Sequence, residues 1–489
     1  MKTNINHFQI TPSRQTELVE ERVKNTTMKT LLLLFCALFS SLVYGQTPTI
    51  HSVDAGGNGQ YTTISAAVSA AAEEDVIEIN SGIYSENVDA GTKQLYYIAQ
   101  DELASVIVSA STFKVAIGSV VRGITFSSGN SFEVNSEGSA RSADVTLLEG
   151  CRFWNVYGRA YSNIKFIGNT VVGSTFFYEE ALNQMHNNTT AGVYIYDQII
   201  STTANEKSVY VSKNKMTTLI IKGGSRVEAL SLNIFSNEME EFYFIPDQNV
   251  SLSNIKIVGN SIGRVRSTAL YSMSNIDLIA NKIGRYKSSQ VDGISLSFAH
   301  RTPNLSIRIC NNLIDSCAVG INIVFGTSNT NLKQTLLIEN NVISRATHPI
   351  QLDAYLGNTT LAANHNIFTE CTGAISYRNN ATYYTNNCFF NAGAIPEGSG
   401  NFEADPKFAD PTNGDFHLQA GSPCIDAGSS TVSSIDLDLT AGDLGIYGGP
   451  YSMENYEGAD ARVIQLLMDR TKVSPGEDIT IKATGVSGE

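Results

Sequence analysis

The stretches "IVGNSIGRVRS" (257–267) and "LIANKIGRYKS" (278–288) lie 21 residues apart and carry almost the same pattern, down to the placing of their basic residues. Both belong to a longer frame, apolar-x-apolar-x-x-Asn-x-apolar, that recurs along the chain. "IKFIGNTV" (164–171), "VYVSKNKM" (209–216), "LNIFSNEM" (232–239), "IKIVGNSI" (255–262) and "IDLIANKI" (276–283) place asparagines at 169, 214, 237, 260 and 281. "IRICNNLI", "LLIENNVI", "LAANHNIF" and the weaker "TYYTNNCF" continue through Asn312, Asn341, Asn366 and Asn387. Alternating apolar residues mark a short strand with one buried face. Such a strand, recurring mostly every 21–31 residues, buries that face only by stacking on copies of itself, each coil about 4.8 Å above the last. The first interval, 45 residues, reads as two turns. Asparagines at a fixed place in every coil then line up, and their amides hydrogen-bond along the stack.

The pattern predicts an all-β chain built as a single-stranded right-handed parallel β-helix. In the later coils a second strand keeps register, because Ile321, Ile350 and Ile375 each lie nine residues after their asparagines. Cys317, Ala346 and Cys371 each lie five after. That column of small residues predicts a tightly packed corner, with Cys317 and Cys371 as buried, unpaired thiols.

The rest of the composition agrees with a large core. The chain has 489 residues, 42% hydrophobic and only 16% charged, which is not a disordered composition. Met28-Lys29-Thr30 followed by the apolar run 31–43 reads as a secretory signal peptide over 28–45, too short for a membrane span. Residues 1–27 read as a non-native or disordered extension, and 46–400 as the β-helix. Without residues 1–46 the chain carries 28 Lys and Arg against 44 Asp and Glu. A surface of that sign disfavours nucleic acid and anionic membranes, so an anionic polymer must meet a local basic patch. Six cysteines remain after the leader; export permits disulfides, but the spacings resemble neither a zinc motif nor a tight disulfide framework.

The ends carry their own signals. Residues 53–88 hold a Gly-rich turn, an Ala-rich amphipathic helix at about 63–73 and a buried strand "VIEI". The helix is expected to cover the open first coil. Tyr61-Thr62-Thr63-Ile64 and Gly82-Ile83-Tyr84-Ser85-Glu86 resemble the start of the pectin lyase-like superfamily of right-handed parallel β-helices. "DPKF", "GDFHL" and "GSPCIDAG", within 401–428, resemble the closing module of bacterial secreted or surface β-helix proteins, here assigned to 401–455. The resemblance covers roughly residues 50–450 and implies the fold; lyases, hydrolases, esterases, epimerases and adhesins all share it. Residues 456–489 resemble the first strands of a truncated Ig-like β-sandwich.

The active-site motifs of the pectin methylesterase-like, polygalacturonase-like and common pectate lyase families do not occur in the chain. Two other sets of residues are candidates. Constant offsets from the ladder place Arg264, Arg266, Arg285 and Lys287 as a two-by-two basic patch suited to a uronate or sulfate, with Glu241 one coil away. The longest coils carry loops with His300, Arg301, Asp353 and Tyr355, and Arg378 follows on the next. A lyase needs a base beside a uronate and a cation to stabilise the anion, roles open to Lys287, His300 or Arg301. A hydrolase needs two carboxylates, and only Asp353 stands out. No cofactor is expected; Ca²⁺ is the one cation that Asp436, Asp438 and Asp443 would suit, and a solvated acidic turn explains them as well.

Two functional readings stand. One is a monomeric, secreted or surface-held protein that binds, and in one version cleaves, an acidic polysaccharide or cell-surface glycan, with lyase chemistry favoured over hydrolysis. The other is a non-enzymatic adhesin or scaffold.

Overall fold

The computed structural model describes residues 47–456 except 101–105, 110–111, 128–130, 136–144, 159–162, 179–181, 198–206, 224–226, 246–249, 269, 271, 285–290, 299–304, 326–333, 354–358, 378–381, 430–435 and 437–439, together with 462–468 and 481–486. The chain divides into two units, Thr49–Gly458 and a second that joins Met1–Pro48 to Ala459–Glu489. In the second unit, strands Arg462–Met468 and Ile481–Val486 pair antiparallel. These two strands are the described part of the expected Ig-like segment. The segment read as a signal peptide lies outside the described residues.

The first unit is a parallel β-helix. Among the described residues, fifteen strands pair in strict chain order to make one parallel sheet, from Ile50–Val53 to Thr382–Thr385. One coil shows the pattern. Leu305–Cys310 lies on this first face, and Leu313–Asp315 follows on a second face after a turn at Asn311-Asn312. Val319–Phe325 then lies on a third face, beyond a turn at Ser316-Cys317-Ala318. The next coil repeats it in register, with Ile307 over Leu336, Ile314 over Ile343 and Ile321 over Ile350. In the middle coils the second and third faces run together as one long strand, as in Lys215–Gly223. The inward residues of all three faces merge into one apolar core.

The asparagine ladder is present and longer than predicted, since Asn188 and Asn401 also belong to it. From Asn188 onward each member's Oδ1 accepts the backbone N–H and the Nδ2 of the asparagine one coil earlier, as at Asn312, which takes both from Asn281 at 3.0 and 2.9 Å; the first member, Asn169, accepts the Cys151 N–H instead. The Nδ2 of Asn312 in turn donates to Leu278 O, Cys310 O and Asn341 Oδ1. The residue before each ladder position turns the chain with positive φ, including non-glycines such as Lys213 (53°), Ala280 (54°) and His365 (58°). Each such residue costs roughly 1–2 kcal/mol, offset by the buried amide bonds that follow. The second corner repeats the device: Ser316, Arg345, Glu370 and Asn391 have positive φ, and the buried Cys317, Ala346, Cys371 and Ala392 come next. Burial pushes the Cys317 thiol up to about 12 and the Cys371 thiol up to about 11, which keeps both protonated and unreactive.

The helix at the start spans Ile64–Ala70, shorter than the expected 63–73 because Ala71 is already extended. Its buried Ile64, Ala67 and Val68 join the main core. Both ends are capped from the coil beneath. Glu86 of the Gly-x-Tyr-x-Glu turn accepts the N–H groups of Ile64 and Ser65 at 2.7 and 2.9 Å, where carboxylates are favoured. Lys93 Nζ donates to the carbonyls of Val68 and Ala71 at 3.1 and 2.8 Å.

At the other end, the described residues of 405–456 run back along the outside of the β-helix as a strap. The column immediately after the ladder is exposed at Thr189, Lys215, Glu238, Ser261 and Lys282. It turns apolar and buried at Leu313, Val342, Ile367 and Cys388. Those residues form a satellite cluster with Phe416, Cys424, Leu444, Ile446 and Met453 of the strap. Side chains of the coil hold the strap's backbone: Asn311 Nδ2 donates to Ile446 O and Gly448 O, and Asn340 Nδ2 to Asp443 O. Arg308, paired with Asp277 at 2.7 Å, also donates to the Tyr451 hydroxyl at 3.0 Å. Its hydrogen bond to Asp277 outweighs burial and holds the guanidinium above its ordinary value.

Candidate functional site

Outward residues of the third face form a column that the strand register fixes through ten coils. Its first half is aromatic at every position but Ile220: Tyr157 over Phe176, Phe176 over Tyr194, Tyr194 over Ile220 and Ile220 over Tyr243. Tyr243 lies over Arg266, and from there the column is polar, through Ser295, Asn322, Gln351 and Ser376. Nine steps of about 4.8 Å make it roughly 43 Å long. A second aromatic pair, Tyr178 over Tyr196, stands beside the first and is followed by the exposed Lys222.

Period-two alternation puts these side chains outside, opposite the core residues Phe177, Ile195 and Ile221. The rings are ordered. Phe176 and Tyr194 lie 5.0 Å apart at 17°, and Tyr178 and Tyr196 5.2 Å apart at 10°. Along the strand, Phe176–Tyr178 and Tyr194–Tyr196 are 6.5 and 6.4 Å apart, again near parallel. Touching atoms are about 3.5–4.0 Å apart, so parallel rings at these centroid distances are slipped and leave part of each face open. Burial, with the neighbouring Tyr178 and Tyr194, raises the Tyr196 hydroxyl above its usual value. It therefore remains a neutral donor and acceptor.

Arg266 stacks on Tyr243, its guanidinium carbon 3.5 Å from the ring centre. Arg264 and Arg266 both pair with Glu241, Arg264 at 2.7 Å. Glu241 thus compensates the patch directly. The register also moves the expected columns. Arg266 pairs with Ser295 and not with Lys287, because an insertion after Gly284 delays the third-face strand until Ile294. Arg285 and Lys287 lie outside the described residues, as do His300, Arg301, Tyr355 and Arg378. Asp353 ends strand His348–Asp353, half-exposed and beside Val324. Farther along, Asn322 Nδ2 donates to Asp292 at 2.8 Å, and its buried Oδ1 finds no partner among the described residues.

On the second face, the column that the strap leaves uncovered borders a shallow groove of about 620 Å³, lined by Thr170, Thr189, Lys215, Glu238 and Ser261 among others. In the acidic turn, Asp436 Oδ2 accepts the Asp443 N–H at 2.8 Å and its Oδ1 accepts from Gly449. Asp443 Oδ1 accepts the Asp426 N–H at 2.8 Å. These carboxylates are engaged in folding the strap, and Asp438 lies outside the described residues. Among the described residues no group of three or more His, Cys, Asp and Glu is placed to hold a metal ion.

The aromatic array is what the sequence reading missed. Its signal was present as alternation in "TFFYEE" (175–180) and "VYIYDQ" (193–198), where one aromatic set faces out. No family model matches the chain, and no curated protein is significantly similar to it.

Proposed function

We propose that this is a secreted or surface-held β-helix protein of the pectin lyase-like kind that binds an extended acidic glycan along its third face. The observation that carries the reading is the outward column that passes from slipped aromatic rings to a ring-stacked arginine and on to amides and hydroxyls. Ring faces suit the apolar faces of sugars, Arg266 and Lys222 suit a uronate or sulfate, and Asn322 and Gln351 suit hydroxyls. A polymer laid along the axis meets equivalent positions about every 4.8 Å. Cleavage is a further step. If it accompanies binding, lyase chemistry with Lys287, His300 or Arg301 as base or anion stabiliser is favoured over hydrolysis at Asp353.

The test is affinity electrophoresis of the full chain through gels holding pectins, alginate, glycosaminoglycans or neutral glucans, with unsaturated product read by ultraviolet absorbance. Retardation by an acidic polymer is expected, lost in Tyr178→Ala/Tyr196→Ala and weakened several-fold in Arg266→Ala. No retardation across the panel leaves the alternative, a non-enzymatic adhesin or scaffold. The mutual stacking of the rings and the Glu241 pairing favour that alternative.

A further inference from the structure

We infer that Cys388 and Cys424 are the two halves of a disulfide that fastens the strap to the β-helix. Cys388 stands in strand Cys388–Phe390, in the column after the ladder that also holds Leu313, Val342 and Ile367. Cys424 lies in the strap segment that covers this column. Both are free thiols wholly buried in the satellite cluster, near enough to each other to interact directly. The backbone holds both in place: Cys388 Sγ contacts Ala404 O at 3.3 Å, and Cys424 N–H donates to Ser422 Oγ at 3.1 Å. Cys151, Cys317 and Cys371 likewise meet backbone carbonyls of the coils; what sets Cys388 apart is the Cys424 thiol beside it in the same cluster.

The chemistry balances with a disulfide oxidant, either a small disulfide such as oxidised glutathione or the disulfide of a thiol oxidoreductase. One cysteine thiolate attacks the oxidant and forms a mixed disulfide, releasing one thiol. The other cysteine then displaces the second, so two protons and two electrons pass from the protein thiols to the oxidant. Within the docked strap the hydrogen bond to Cys388, with burial, drives the Cys424 thiol far above its usual range. Both sulfurs are out of reach once the strap lies over them, so exchange with the oxidant takes place before it closes. In a cell it needs an oxidising compartment, and to that extent it rests on the export reading; a redox buffer removes that dependence.

The full chain is refolded in a glutathione redox buffer, its remaining thiols are alkylated under denaturing conditions, and the peptides are mapped without reduction. The expected result is one cross-linked species joining the Cys388 and Cys424 peptides, with Cys36, Cys151, Cys310, Cys317 and Cys371 alkylated. Reduction should lower the melting temperature by several degrees, and Cys388→Ser or Cys424→Ser should abolish that response. Alkylation of both cysteines in the folded product, or linkage of either to another cysteine, overturns the inference. Glycan retention is indifferent to this result, so the two proposals fail separately.

Discussion

At the scale of single residues, the ladder asparagines carry the densest run of buried side-chain hydrogen bonds among the described residues. Asn312 satisfies five polar partners in the interior, among them the N–H and amide of Asn281 and the carbonyl of Leu278. Asn312→Ala strands several of these at once, and each buried group left unpaired costs about 1–3 kcal/mol. A loss of roughly 2–4 kcal/mol is expected in denaturant unfolding, whereas Ser306→Ala, half-exposed on the outer side of the first face, should be near neutral. A second residue-scale prediction concerns acid. Burial opposes ionisation of Asp75, yet hydrogen bonds from His51 and from the N–H groups of Thr49 and Ala72 prevail and lower its pKa below 3.8. A lowered folded pKa means stability that is present above 3.8 and lost as pH falls through the folded value. Thermal scans at decreasing pH should show this step in the native chain, and Asp75→Asn should flatten it.

At the scale of elements, the strap is where the β-helix changes its outer surface. Gly445, at φ 87°, packs so closely that a Cβ would stand 2.9 Å from Ile367 Cδ1 and 3.0 Å from Val342 Cγ2. Gly445→Ala combines that clash with backbone strain of about 1–3 kcal/mol. Limited proteolysis should then cut within 405–456 in the variant at protease levels that spare the native chain; equal resistance would mean the strap is not held at this contact. The same region shows what a sequence can and cannot reveal. Strand and ladder positions were legible at nearly every coil because alternation and Asn recur. Asn188 escaped because a bulge at Asn183 breaks the frame, pairing Lys165 with Gln184 directly after Ile164 with Leu182. Asn401 escaped because no strand precedes it. The switch from Lys282 to Leu313, Val342 and Ile367 after the ladder was visible as letters. Its meaning, a second layer lying outside, depends on a segment about 100 residues away, which periodicity does not register. The site was less legible, since constant offsets carried Arg285 and Lys287 into columns that an insertion had shifted.

For the whole molecule, the question is how a chain of net charge −14 meets an anionic polymer. Long-range repulsion is screened beyond about 10 Å at 0.1 M salt, so contact depends on the local balance at Glu241, Arg264 and Arg266. Glu241 is nearly buried and holds both guanidinium groups. Glu241→Gln keeps the shape and removes the charge, leaving two cations whose mutual repulsion, at about 5 Å and an effective dielectric of 20, is about 3 kcal/mol. The free protein should therefore melt several degrees lower. A bound carboxylate or sulfate would take the place of the lost charge, so retention by acidic polymers should rise several-fold at low salt, the gain shrinking as salt is added, while neutral glucans bind as before. If the variant melts lower and gains no affinity for any acidic polymer, the arginines serve the coil stack alone and the third face is a structural surface. If it gains affinity and the added polymer restores the melting temperature, Glu241 is the group with which an acidic ligand competes.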